Sequence, residues 1–369
     1  MRTRKYYKEM KRLAFCAAAL LSMAVAFAKP AQVLMPGDPA PELTVSQWVK
    51  GSPIPKLEEG RVYVVEMWAT WCGPCRVSIP HLTKLQKQHG DKVTIIGISI
   101  WERGDDIPKL VRDFVAQMGA QMEYHVAMDS TDGGTEKNWM EAARQRGIPA
   151  SFIIGKDRKI AWIGHPMAMD KPLEEVIAGT FDVAAARASF EQEMQAQIRE
   201  EEGMKKIGEA RQMAAGGKRQ EALTALDSVQ KENPGLAMPV FQAKADILST
   251  DEAAFSKFVT DSSKALGEEA PMILANTALS LIRAPRGQQP AEAKVKAGRM
   301  LVAEAMKGMG KEDNAIVLYY ASVFHLNLNE KAAAIPYIER ALKVVPDNED
   351  NKQFRAALNQ LLQRAKSSN

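Results

Sequence analysis

The stretch Trp68-Ala69-Thr70-Trp71-Cys72-Gly73-Pro74-Cys75-Arg76 carries two cysteines three apart with Gly-Pro between them. The nearly all-apolar run Arg61–Met67 precedes it, and a helix-like segment, Val77 to His89, follows. A strand that hands a C-x-x-C to the start of a helix is the pattern of a dithiol redox site. Its physical basis is the helix N-terminus, where free N–H groups and the positive dipole end stabilise a thiolate. Cys72, just before the helix, is therefore expected to be exposed and to act as nucleophile, with Arg76 adding positive charge. Cys75, one turn in, is expected to be more buried, to keep a higher pKa and to resolve a mixed disulfide. Gly73 and Pro74 make a tight turn with no bulk over the sulfurs.

The other cysteine strengthens this reading. The chain has 369 residues and three cysteines. The third, Cys16, lies in an apolar run, Leu13 to Ala28, preceded by Arg2, Arg4, Lys5, Lys8, Lys11 and Arg12 and ending in Ala26-Phe27-Ala28. A basic start, an apolar middle and a small-x-small end form a cleavable export signal over residues 1–28. The run is shorter than the roughly 20 residues that span a bilayer, so no stable membrane anchor is expected. Removing this segment takes away six basic and one acidic side chain and moves the net charge from +4 to −1. No global charge then favours nucleic acid or an anionic membrane. The mature chain keeps only Cys72 and Cys75, whose bridge closes too small a loop to serve stability. A zinc site would need a second C-x-x-C or paired histidines, and His81, His89, His125, His165 and His325 are scattered. Neither metal nor cofactor is expected.

Residues 29–60 read as a Pro- and Gly-rich lead-in with one short strand or hairpin near Glu42–Val49. Strands are predicted at 61–67, 93–101, 122–128, 150–154 and 159–164. Helices are predicted at 74–89 with a kink at Pro80, 105–118, 136–146 and 171–179. Alternating strands and helices with a closing hairpin imply an α/β sheet covered on both faces. After Asp182 the β-branched runs stop and Ala, Glu, Lys, Gln and Met take over, which predicts an all-α region over residues 183–369 with a break at Gly203. Within it Ala222, Leu226, Val229 and Pro234 repeat the spacing of Ala334, Ile338, Ala341 and Pro346. That spacing resembles the second half of a tetratricopeptide repeat.

Trp71-Cys72-Gly73-Pro74-Cys75 after a strand closely resembles the thioredoxin active site. The export segment, the Pro-rich lead-in and the extra helix–strand unit at about 105–128 bring the match closer to secreted TlpA/ResA-like thioredoxins, related to the redoxin and alkyl-hydroperoxide-reductase group. The resemblance spans about residues 36–180 and implies a thioredoxin-like domain over 36–182 followed by the helical-repeat region. It implies that Glu66 is a buried acid beneath the dithiol, with a raised pKa, that exchanges a proton with Cys75; a solvent-facing Glu on an edge strand is the plainer alternative. It places a cis-proline at Ile148-Pro149, where the Ile148 backbone would receive a substrate strand; a trans proline closing a helix at Gly147 is the alternative. Trp71, Gly73 and Pro74 would line the same surface.

The implied function is an exported, periplasmic thiol–disulfide oxidoreductase that reduces disulfides of protein substrates and is recharged by a membrane thiol-reductant donor. A second reading makes the helical region a peptide- or protein-binding adaptor, with the thioredoxin domain a scaffold or redox gate. A peroxidase is disfavoured, because peroxiredoxins carry Thr three residues before the nucleophile and here Ala69 holds that place.

Overall fold

The computed structural model describes residues 33–285 and 287–367; the expected export segment lies outside them. The chain divides into two compact units after Gln195. The first is built on a sheet of β1 (Val45–Lys50), β2 (Val62–Trp68), β3 (Val93–Ser99), β4 (His125–Asp129), β5 (Ala150–Ile154) and β6 (Ile160–Gly164), in the order β1-β4-β3-β2-β5-β6. The β2–β3 and β3–β4 pairs are parallel and the other three antiparallel. This is the thioredoxin-like α/β sheet expected from the sequence. β2 and β3 are buried along their whole length, so they carry continuous apolar runs rather than alternation.

Two apolar layers sandwich the sheet. One face presents Val62, Val64 and Trp68 together with α1 (Gly73–His89) and α2 (Ile107–Met118). The other presents Tyr63, Val65 and Met67 and is covered by Trp139, Met140, Leu57 and Phe190. α2 starts where the Asp106 carboxylate accepts the Lys109 N–H at 3.1 Å, and stops at Gly119, whose φ of 51° suits a residue without Cβ. α3 (Asp170–Ala178) follows β6.

One expected element differs. The helix predicted over 136–146 is a π-helical turn, Glu136–Glu141, followed by irregular backbone with Arg144 at φ 53°. Asp129 accepts the N–H groups of Ser130, Thr135 and Glu136 and fixes where the turn begins. The neighbours Trp139 and Met140 are both buried in one layer, and the backbone widens to bonds such as Gln145 N–H to Met140 O.

α4 (Val183–Ala215) begins in the first unit and runs on into the second, which is helical: α5 (Arg219–Glu232), α6 (Ala237–Leu248), α7 (Glu252–Leu266), α8 (Ala270–Leu281), α9 (Glu292–Gly308), α10 (Ala315–Asn327), α11 (Lys331–Val344) and α12 (Lys352–Lys366). α4 contributes Phe190 to the first unit and Ile207 and Ala210 to the second. The break expected at Gly203 is not there. A Cβ at Gly203 would come within 2.3 Å of Leu236, so this glycine gives room to a neighbouring side chain instead of ending the helix. The repeated triads are both buried: Ala222, Leu226 and Val229 on α5, and Ala334, Ile338 and Ala341 on α11. Ile338→Ala is expected to destabilise this unit by about 2–5 kcal/mol, read as a lower urea midpoint in helical circular dichroism. A change below about 1 kcal/mol would mean that the α11 face is not core. Among the described residues no helix is long and apolar enough to cross a membrane.

Candidate active site

β2 delivers the chain to the site. At its end the Cys72 N–H bonds back to Ala69 O at 3.1 Å, closing the turn that starts α1. Cys72 is the N-cap of α1, and Pro74 stands in the first turn, where its missing N–H costs nothing. Cys72 Sγ accepts the Cys75 N–H at 3.1 Å, so a helix-terminal donor already points at the sulfur. Cys72 and Cys75 form a disulfide in this structure. The Ile148–Pro149 peptide is cis, and the Ile148 carbonyl oxygen lies 3.7 Å from Cys72 Sγ.

One expectation needs correction. Cys72 is not exposed: only 3% of its surface reaches solvent, against none for Cys75. The turn folds it against the core layer, in which partly buried Ile148 also packs, and the approach is left to exposed Gly73 and Pro74. Arg76 is held beside the turn. Its guanidinium donates to Thr70 O and lies 5.1 Å from the Phe114 ring centroid.

Trp71 is the exposed aromatic of the rim, at 44%. Its Nε1 donates to Trp101 O at 2.8 Å, and Arg103 stacks 4.4 Å above its ring. Glu102 was not legible in the sequence as a site residue. Its carboxylate accepts the Thr70 N–H at 2.8 Å, the Thr70 hydroxyl at 2.6 Å and the Ser99 hydroxyl at 2.7 Å, tying the end of β3 to the turn before Cys72. Only an acid close behind a strand end could have marked it.

Glu66 is fully buried in the centre of β2, which excludes the edge-strand alternative. Burial pushes its pKa from 4.5 up to about 8. Neither carboxylate oxygen has a hydrogen-bond partner among the described residues. Glu66 and Cys75 belong to the same side of the sheet, since Glu66 lies two residues from both Val64 and Trp68 and so shares their face. Such an acid takes or returns a proton near neutral pH, as a thiol converted to a thiolate requires. Among the described residues no three His, Cys, Asp or Glu side chains stand together as a metal site.

Residues 35–177 match the Redoxin family. Protein FixW of Rhizobium leguminosarum is 30% identical over 162 residues, which cover 43% of this chain and 71% of FixW. The chain belongs to the redoxin family. The thiol:disulfide interchange protein HelX of Rhodobacter capsulatus is 32% identical over 130 residues, covering 34% of this chain and 66% of HelX. A solved thiol-disulfide isomerase from Corynebacterium glutamicum is 22% identical, with a TM-score of 0.34, over 40% of this chain and 97% of its own. The redoxin unit, with its Cys72–Cys75 pair, is that of a thiol–disulfide oxidoreductase.

Proposed function

We propose that this redoxin is exported to the periplasm and reduces disulfides of protein substrates through Cys72. The observation that carries the reading is the placing of Cys72 Sγ between the N-terminus of α1 and the Ile148 carbonyl beside cis-Pro149. The Cys72 thiolate attacks one sulfur of the substrate disulfide, and the other substrate sulfur leaves as a thiolate. Cys75 then gives its proton to the Glu66 carboxylate and attacks Cys72 Sγ. The Cys72–Cys75 disulfide forms, and the substrate departs with its second sulfur reduced. Two electrons have passed from the protein to the substrate, and a membrane thiol reductant returns them. Trp71, Gly73 and Pro74 form the approach, and the Ile148 backbone pairs with the substrate chain. The apolar run Leu13–Ala28 supports export. The buried triads of α5 and α11 support a tetratricopeptide-like stack that binds a peptide or protein partner.

Direction of transfer is tested by the reduction potential of the Cys72–Cys75 pair. Gly-Pro between the cysteines, as in reducing thioredoxins, predicts a value nearer about −270 mV than the about −120 mV of strongly oxidising dithiols. Equilibration in defined thiol buffers measures it, and a value above about −150 mV would make the protein an oxidant.

A further inference from the structure

Glu66 has polar company in the core. β2 pairs it with Gly97 of β3 on one side and Ser151 of β5 on the other, and neighbouring strands lie about 4.8 Å apart. Alternation puts this row on the face that carries Trp68, Cys75 and Tyr124. Gly97 keeps the row open. A Cβ there would come within 2.9 Å of Tyr124 Cε2 and 3.2 Å of Trp68 Nε1. The hydroxyl-bearing edge of Tyr124 and the indole N–H of Trp68 thus reach over β3 beside Glu66. Ser151 Oγ, Tyr124 Oη and Trp68 Nε1 are buried and, like both Glu66 oxygens, have no hydrogen-bond partner among the described residues. Buried polar groups left single are costly. Here three groups able to donate share one face of the sheet with one acceptor.

We propose that Ser151, Tyr124 and Trp68 form a donor cradle that positions Glu66 and stabilises its carboxylate, directly or through a buried water, for taking the proton of Cys75. The inference rests on the role given to Glu66 above. Ser151, Tyr124 and Trp68 are positioning residues. They act on Cys75 only through the carboxylate.

Among the described residues no charged side chain bonds Glu66 in the cradle. β3 brings Gly97, β5 Ser151, and α2 faces this layer with Val111, Phe114 and Val115. On α1, Cys75 shares the layer, while Arg76 is bound to Thr70 O and His81 to Asp170. Burial raises the Glu66 pKa, and burial first, then the Glu66 charge, raises that of Tyr124.

Tyr124→Phe and Ser151→Ala each remove one donor and little volume. The experiment follows single-turnover oxidation of the reduced full-length protein by oxidised glutathione, by tryptophan fluorescence, from pH 5 to 9. In the native protein the rate gains a limb as Glu66 deprotonates, and Glu66→Gln removes that limb. Losing a donor destabilises the carboxylate, so the limb moves to higher pH by about one unit in each variant, a roughly tenfold slower reaction at pH 7. Cys75→Ser isolates the first attack by Cys72, and adding Tyr124→Phe to it leaves that rate unchanged. A limb that stays in place in both variants overturns the cradle, as does an equal slowing at every pH. A limb that survives Glu66→Gln but is absent from Cys75→Ser, and so does not come from ionisation of Cys72, overturns the role of Glu66 itself.

Discussion

Replacing Cys72 by serine is expected to abolish reduction of insulin disulfides, by on the order of a thousandfold or more. The argument is one of protonation. A thiol at a helix N-terminus is a thiolate for an appreciable fraction of the time near neutral pH, whereas a serine hydroxyl in the same place is not. The Cys75 N–H that points at Sγ would still point at the serine oxygen, so the loss comes from the nucleophile and not from a collapsed turn. Cys75→Ser should behave differently. Cys72 still attacks, nothing resolves the product, and mixed disulfides with substrate proteins accumulate, visible as thiol-sensitive bands on non-reducing gels. Insulin reduction retained by Cys72→Ser would end the enzyme reading. If Cys75→Ser traps nothing while the full chain lacking Cys72 and Cys75 still captures a protein partner, the helical region is the principal functional surface.

What the sequence disclosed and what it did not follow one physical division. The dithiol and Pro74 are local features, legible because a helix start depends on neighbours within a turn. Glu66 was legible as an acid where an apolar strand makes an acid expensive. Its surroundings were not. Gly97, Ser151 and Tyr124 reach it only through strand pairing, which a single sequence does not reveal. The same holds for Glu102, whose partner Thr70 sits across the sheet end. In the 136–146 segment, helical periodicity was outweighed by a carboxylate from β4, which claims the first N–H groups and sets the wider turn. In the second unit, apolar spacing placed every helix, yet Gly203 was misjudged because its role is to admit Leu236 from a distant segment.

The burial of Glu66 sets a second large effect, on stability. In the folded protein Glu66 holds its proton up to about pH 8, whereas in the unfolded chain it ionises near 4.5. Between those values the folded state binds a proton that the unfolded state has lost, so stability falls as pH rises. The contribution is fully present below about pH 4.5 and is lost by about pH 8. At 1.36 kcal/mol per pH unit, the loss across the window is on the order of 5 kcal/mol, a sizeable part of the 5–15 kcal/mol typical of a domain. Glu66→Gln has no such proton to lose, so the difference in stability between native and variant should shrink and reverse as pH rises from 5 to 8. All six tryptophans lie between Trp48 and Trp162, so fluorescence during urea unfolding of the oxidised protein reports on the redoxin unit alone. Taking the difference between native and variant cancels histidines, which titrate in the same window in both. A difference that stays flat from pH 5 to 8 would mean that Glu66 is already ionised in the folded state, and it could then not receive a proton from Cys75. A slope of the expected sign would show that the redoxin unit gives up stability near neutral pH to keep a proton acceptor in the same core layer as its dithiol.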